Sequence, residues 1–443
     1  MKKIAILVAL LTVSVAMSAQ NFLSGYFLDD YDLSYRDNPA FRPQGEFRGG
    51  VSLTASSRTN VGLDKFLFPI SGNRLANGLN QNVDARKFLD PLPEFVTVNA
   101  NVDVLFYTRG LERDGVYHTI DVSVRSDNVG RVPKSFFSFL KEGMANDVVY
   151  DFSDLGMRSS NYMEIAYGQS RSITDRLELG FRIKPLIGVS YANLNIDEFK
   201  MTSVRNSWMI QSKADINLAG NQFRIPQKTK DGATRLKLDG ASFKLLRPAI
   251  AGLGLAADLG VAWHVSDDLT FSASALDLGF MAWFGKVHAE TPSVEYVMDE
   301  GDMLDARGNA ESSALGDVAT FYVTQTRNYV KRLQFTLHAA AEYVLPANRD
   351  LSFGVLGTYR NSSLLSWGEG RFITNWKPLS WLSGNVSFAW NSFGPAAGMM
   401  LCFRTSEANI FIGTDAYAFK VTPQLIPAGK ANITATIGAV FPL

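Results

Sequence analysis

The ionisable residues of this 443-residue chain sit in apolar company. Asp103, Glu178, Arg182, Lys184, Asp258, His338, Glu342 and Arg360 all fall on the polar beat of runs that alternate apolar and polar side chains. A charge so placed faces a hydrated interior. It either pairs with an opposite charge and fixes something there, or it marks a polar track for a moving solute, and alternation alone leaves both readings open. Catalysis asks for more. There is no GxSxG nucleophile elbow, no HExxH and no glycine-rich phosphate loop. The four histidines, His118, His264, His288 and His338, lack the spacing of paired metal ligands. His264 lies near Asp267 and Asp268, a cluster that reads as a turn. The acidic stretch 290–317 lacks the calcium-loop spacing and reads as a solvated loop. Cys402 is the single cysteine, so no disulfide framework or CxxC metal site is expected. We therefore expect no enzyme, no metal and no cofactor.

One carboxylate is out of step. In "DDLTFSASALDLGFMAWFG" (267–285), Leu269, Phe271, Ala273 and Ala275 share one face, and then Leu276, Leu278 and Phe280 take over the apolar role with Asp277 at the join. Two explanations stand. A β-bulge at Ala275, Leu276 and Asp277 would return Asp277 to the polar side. Alternatively the strand leaves its apolar surroundings there, with Asp277 near the outer interface. A bulge would bend the wall and give a lateral route from interior to membrane.

The elements that must position these residues are strands. Val96, Val98, Ala100, Val102, Val104 and Phe106 alternate with Thr97, Asn99, Asn101 and Asp103, and comparable runs cover 177–191, 332–345, 351–360 and 431–441. Period two is the strand signal. Many runs reach ten residues or more. That suits a tilted membrane-spanning strand of about 9–11 residues better than a soluble strand of about 5–6. Tight connections at 172–176, 264–268, 345–350 and 405–409 alternate with long ones near 219–247, 286–330 and 419–430. Short turns on one rim and long loops on the other are the pattern of outer-membrane barrels. In hydrocarbon a sheet satisfies its backbone only by closing on itself. The expected fold is all-β: a transmembrane antiparallel barrel of about 14 strands, starting near Phe47 and ending at Phe441, with an N-terminal plug-like segment. Trp263, Trp283, Trp376, Trp381, Tyr359 and Tyr417 are expected in aromatic girdles, and 73–89 and 132–145 are expected to be helical.

The N-terminus, "MKKIAILVALLTVSVAMSAQ", has a basic start, a short apolar stretch and small residues before Gln20. That is a cleaved signal peptide over 1–19. The expected organisation is then a plug or periplasmic segment over 20–46 and a barrel over 47–443. Lys plus Arg equals Asp plus Glu, 43 each, so nothing favours a nucleic-acid partner.

Four stretches carry a resemblance: "YRDNPAF" (35–41), "RVPKSFFSFLKEG" (131–143), "NYMEIAYGQSRSITDRLELGFRIKPLIGVSYANL" (161–194) and "LDLGFMAW" (276–283). Together they resemble an uncharacterised outer-membrane barrel family from Bacteroidota. Asn38, Pro39 and Ala40 are similar to the N-terminal motif of the long-chain fatty-acid transporter (FadL-like) superfamily, whose members are 14-stranded barrels with an N-terminal plug. The final run, with Ile433, Ile437 and Phe441 on one face, resembles the signal read by the barrel-assembly machinery, although Pro442 and Leu443 follow the aromatic residue. The resemblance implies a Gram-negative outer-membrane location, contact with outer-membrane lipid, a plug shaped by Asn38-Pro39-Ala40, and binding or passage of a small hydrophobic molecule. The competing class is a structural or secretion-accessory barrel that works through protein partners at its long loops.

Overall fold

The computed structural model describes residues 22–69, 75–143, 147–204, 207–221, 223–224, 227–230, 233–236, 242–243, 249–290, 294–299, 321–323, 328–362, 364–415 and 432–443. The expected signal peptide, Tyr417 and most of 290–317 lie outside them. Fourteen strands form the wall: β1 (Phe47–Thr59), β2 (Phe95–Arg113), β3 (Val116–Pro133), β4 (Gly156–Thr174), β5 (Leu177–Val204), β6 (Gly252–His264), β7 (Leu269–Trp283), β8 (Thr336–Val344), β9 (Leu351–Arg360), β10 (Trp367–Leu379), β11 (Leu382–Asn391), β12 (Gly394–Arg404), β13 (Asn409–Thr414) and β14 (Ile433–Pro442). Each pairs antiparallel with the next. The seam closes where Gly50 to Ser57 of β1 pair with Val440 to Ile433 of β14. Every strand thus has two neighbours and the sheet has no edge.

Alternation decides which face is which. Val51, Leu53, Ile183, Leu259, Phe388 and Ile437 point outward and are exposed, while Ser52, Arg182, Lys184, Asp258 and Ser387 point inward and are buried. The connections separate by rim. β2–β3, β4–β5, β6–β7, β8–β9, β10–β11 and β12–β13 join through short turns on the rim that also holds the start of β1 and the end of β14. Asp114 and Gly115 form one of them with φ of 53° and 73°, the left-handed pair that a two-residue hairpin requires. The opposite, outer rim carries the long connections, with two exceptions: residues 361–366 join β9 to β10, and Ser392 and Phe393 alone join β11 to β12.

Several sequence expectations are corrected in detail. Among the described residues of 73–89 only α1 (Ala85–Leu89) is helical, and Leu75–Asn77 is a strand; among those of 132–145 the helix is α2 (Lys134–Glu142). Trp263, Trp376 and Tyr359 are exposed on the outer face and Trp381 is exposed in the short turn between β10 and β11, but Trp283 is only 1% exposed. It turns into the lumen and stacks on Tyr191 at 4.9 Å between ring centroids, because the residue doubled at the bulge below reverses the phase of β7. β5 runs on for 28 residues, and its outer half pairs with the strand Ser207–Ala219. That strand pairs in turn with Gly285–Glu290 and Val294–Asp299, so the barrel extends outward beyond β6. Part of the stretch expected as a solvated acidic loop is therefore a paired strand.

Candidate functional site

The segment from Phe22 to Glu46 enters the lumen from the short-turn rim and packs there. Two short 3-10 turns, Leu23–Phe27 and Ser34–Arg36, bury Phe22, Leu23, Tyr26, Leu33 and Tyr35. Its first described turn is held from far along the chain. The Asp415 carboxylate accepts the backbone N–H of Leu23 and, at 2.8 Å, that of Ser24, while Arg371 Nη1 donates to it at 3.3 Å.

Asn38, Pro39 and Ala40 occupy a dent in the wall. Asn38 Nδ2 donates to Tyr26 Oη and to the Val261 carbonyl, each at 3.2 Å. Its Oδ1 accepts from Ala40 N at 3.0 Å, a local turn that fixes the proline between them. Ser170 Oγ donates to the Ala40 carbonyl at 2.8 Å. The dent exists because Gly180 and Gly260 face each other across β5 and β6. A Cβ on Gly180 would lie 1.9 Å from Pro39 O, and one on Gly260 would lie 2.1 Å from Asn38 Oδ1. Only glycine lets the plug backbone come this close.

Beside the dent lies a ring of buried ions. It starts at plug residue Arg36, whose Nη2 is 2.9 Å from Asp103. Arg125 touches Asp103 at 3.1 Å and Asp277 at 3.0 Å. Lys184 contacts Asp277 and lies 2.5 Å from Asp258. Arg182 lies 3.0 Å from Asp258 and contacts Asp121. Tyr35 of the plug closes the circuit by donating to Asp121 at 2.5 Å. Glu164 sits inside the ring, 3.2 Å from Arg125, 3.7 Å from Arg182 and 4.0 Å from Lys184. Five carboxylates (Asp103, Asp121, Glu164, Asp258, Asp277) thus answer four cations (Arg36, Arg125, Arg182, Lys184), with water excluded from nearly all of them. Desolvated ions hold one another tightly, and removing one strands its neighbours. Within the plug, burial raises the Asp37 carboxyl to about 8, and its backbone carbonyl accepts from Ser274 Oγ at 2.7 Å.

Asp277 reaches the ring because of the bulge. Ala257 pairs with Leu278 and Leu259 with Ala275, so Leu276 and Asp277 together oppose Asp258 alone. The doubled pair is Leu276 and Asp277, within the Ala275–Asp277 stretch expected from the sequence. Asp277 adopts φ 61°, a left-handed conformation that Asp tolerates better than most residues, and its N–H donates to Asp258 Oδ1 at 2.7 Å. The strand does not leave the wall here; it continues to Trp283, and Asp277 lies in the lumen rather than at an outer interface. On the other side of β7 the ladder is interrupted. Leu276 pairs with Thr336 of β8, and pairing resumes only at Phe280 with Arg332 of the strand Tyr329–Arg332. Across the gap Leu333 N donates to Gly279 O at 3.0 Å.

The other polar residues singled out in the sequence lie apart from the ring. Glu178 is 4.0 Å from Arg42 of the plug segment, near the short-turn rim. His338 Nδ1 is 2.9 Å from Thr358 Oγ1, and its ring lies 5.6 Å from that of Tyr26. Glu342 accepts from Ser352 Oγ at 2.7 Å. Arg360 donates to Thr336 Oγ1 at 3.0 Å and is 3.6 Å from Asp127. Sequence reasoning passed over Asp121, Arg125, Glu164, Arg371 and Asp415. The first three obey the same alternation, as in "TIDVSVR" and "YMEIAY". The plug partners Tyr35 and Arg36 carry no period-two signal.

Above the ring the lining turns apolar. Tyr162, Leu186, Met281, Trp283 and Tyr191 form a buried layer against Tyr329 and Leu333, and beyond it the outward extension encloses a polar vestibule.

A closed antiparallel wall around an N-terminal plug, tied to it by ions, defines a plugged β-barrel. Residues 39–415 match the family described as a family of unknown function, DUF5723, and the chain belongs to it. No curated protein matches the chain. Among solved structures it is similar to the Ralstonia pickettii toluene transporter TbuX, with 7% identity over 94% of each chain and a TM-score of 0.46. It is also similar to the Pseudomonas putida toluene transporter TodX, with 9% identity over 96% of each chain and a TM-score of 0.42. A third is a Pseudomonas aeruginosa FadL homologue, with 11% identity over 96% of this chain and 97% of that one and a TM-score of 0.39.

Proposed function

We propose that this chain is an outer-membrane barrel, exported through a cleaved signal peptide, that passes a small hydrophobic molecule between its lumen and the surrounding lipid. The band of exposed Leu, Ile, Val and Phe side chains around the wall supports a lipid environment. The observation that carries the passage is the flaw in β7. A bulge breaks its register with β6, and on the opposite side its ladder with β8 lapses over residues 277–279. Lipid-facing Leu278 and Phe280 there stand next to lumen-facing Met281. An apolar molecule moving sideways at this point stays out of water, whereas an axial path meets the plug and the ion ring. Asn38, Pro39 and Ala40 seat the plug, and the ring ties it to the flaw through Asp277.

Mass spectrometry of lipids extracted from the detergent-purified barrel, beside a porin purified identically, tests this reading. One enriched hydrophobic species is expected, lost when residues 20–46 are deleted from the mature chain. Cross-linking Gly279→Cys to Leu333→Cys in a Cys402→Ser background should pin the lapsed ladder and slow exchange of that species. Extracts indistinguishable from the porin's would defeat the proposal. They would favour a scaffold barrel acting through its outer loops, a reading supported by the tightly paired ions at plug height. Partner pull-down would then be the relevant measurement.

A further inference from the structure

The vestibule above the aromatic layer is a cavity of about 370 Å³ between the outer half of β5, the strands Ser207–Ala219 and Gly285–Glu290, and the strand Tyr329–Arg332. Most of its polar groups already have partners. Asn217 Nδ2 donates to Asp215 at 2.6 Å, which turns Asn217 Oδ1 toward His288 Nδ1 at 2.7 Å. His288 Nε2 meets Glu290 at 2.8 Å, and Lys213 lies 3.9 Å from Asp197. Two ions of opposite sign remain. Asp215 is bonded to amides, those of Asn217 and Asn195; burial pushes its carboxyl up, while His288 and Lys331 pull the other way through space without forming an ion pair with it among the described residues. Lys331 has no ion-pair partner among the described residues, although it lines the same cavity. Tyr329 lies two residues away on the same face, and its buried hydroxyl also has no partner among the described residues.

We propose that the vestibule is a binding site for a small zwitterion, with the ligand's ammonium group against Asp215 and its anionic group against Lys331 and the Tyr329 hydroxyl. A solute of single charge would leave one of the two ions unmatched, and a neutral one would leave both. A zwitterion matches both without changing the net charge of the cavity. A free amino acid and the headgroup of an ethanolamine phospholipid share this chemistry. The site is independent of the flaw in β7, so hydrophobic passage can fail and zwitterion binding still stand.

Calorimetric titration of the full-length barrel in detergent tests it, using alanine, glycerophosphoethanolamine, alanine methyl ester and N-acetylalanine as probes. Saturable binding is expected from at least one of the first two. The blocked forms should bind at least about tenfold more weakly, about 1.4 kcal/mol for a lost charge pair. Lys331→Met and Asp215→Asn should each weaken the zwitterion by about tenfold or more, on the same arithmetic. The swapped double variant Lys331→Asp with Asp215→Lys should recover most of the affinity, which separates lost charge from lost fold. Tighter binding of alanine assigns a free solute, and tighter binding of glycerophosphoethanolamine assigns the lipid headgroup. No saturable heat from either zwitterion, or equal binding of the blocked forms, overturns the proposal.

Discussion

The lumen at plug height and the lumen above it are built from unlike materials. Below, five carboxylates and four cations close on one another and on the plug, and nearly every one is buried. Above, aromatic rings stack in a layer, and the vestibule beyond holds ions that face open space. A group from the lower level cannot leave without stranding a charge in a dry interior. The upper level can accept a ligand without breaking anything. The lower level sets the shape, and the upper level is free to bind.

Substitutions test that contrast, beginning with the largest effect. Lys184→Met should leave Asp258 to Arg182 alone, Asp277 to Arg125 alone and five carboxylates to three cations, and cost about 3–5 kcal/mol, read as a lower denaturant midpoint for barrel unfolding. Tyr35→Phe removes the bond to a buried carboxylate and should cost about 1.5–3 kcal/mol by the same assay. Gly260→Ala pushes a methyl into Asn38 and should cost about 1–3 kcal/mol, mostly by unseating the plug, seen as faster proteolysis within residues 22–46 of a barrel that stays closed. Proton linkage at Asp37 should also act on the plug. Its carboxyl titrates at about 8 when seated, against an ordinary value near 4 when released, so it binds a proton more tightly in the seated state. This contribution to seating is complete below about pH 4, declines as pH rises above that, and is gone above about 8. Proteolysis of the plug should accelerate over that window, and Asp37→Asn should flatten the profile. At the small end, Tyr329→Phe should leave stability within about 0.5 kcal/mol, since its hydroxyl has no partner among the described residues. A Tyr329→Phe penalty as large as that of Tyr35→Phe would erase the distinction between the two levels.

The wall was legible in the sequence because lipid outside and polar groups inside impose period two on each spanning strand. The phase flip around Asp277 was legible for the same reason: a doubled residue must invert the alternation, and it did so where the structure has its bulge. Trp283 was misplaced because the flip was not carried forward; after a bulge, the residues that looked lipid-facing turn inward. The partners of the ions were not legible. Asp103 and Arg182 declare a face but not a neighbour, because pairing across a lumen depends on register and tilt around the ring. The plug was legible only as a segment left over before the first strand and as a tripeptide, since irregular backbone has no period to read.

The grip of Asp415 on Ser24 joins residues 391 positions apart. It constrains the order of events during biogenesis. Asp415 follows β13, and just one strand later the seam between β14 and β1 shuts. The N-terminal segment must therefore wait, unsatisfied, through synthesis of nearly the whole chain, and then be enclosed as the ring completes around it. Loop-closure entropy makes so distant a contact slow to find unaided. A refolding reaction that seals an empty cylinder first would leave the segment outside, so the rate of closure and the yield of correctly filled barrels are set in competition.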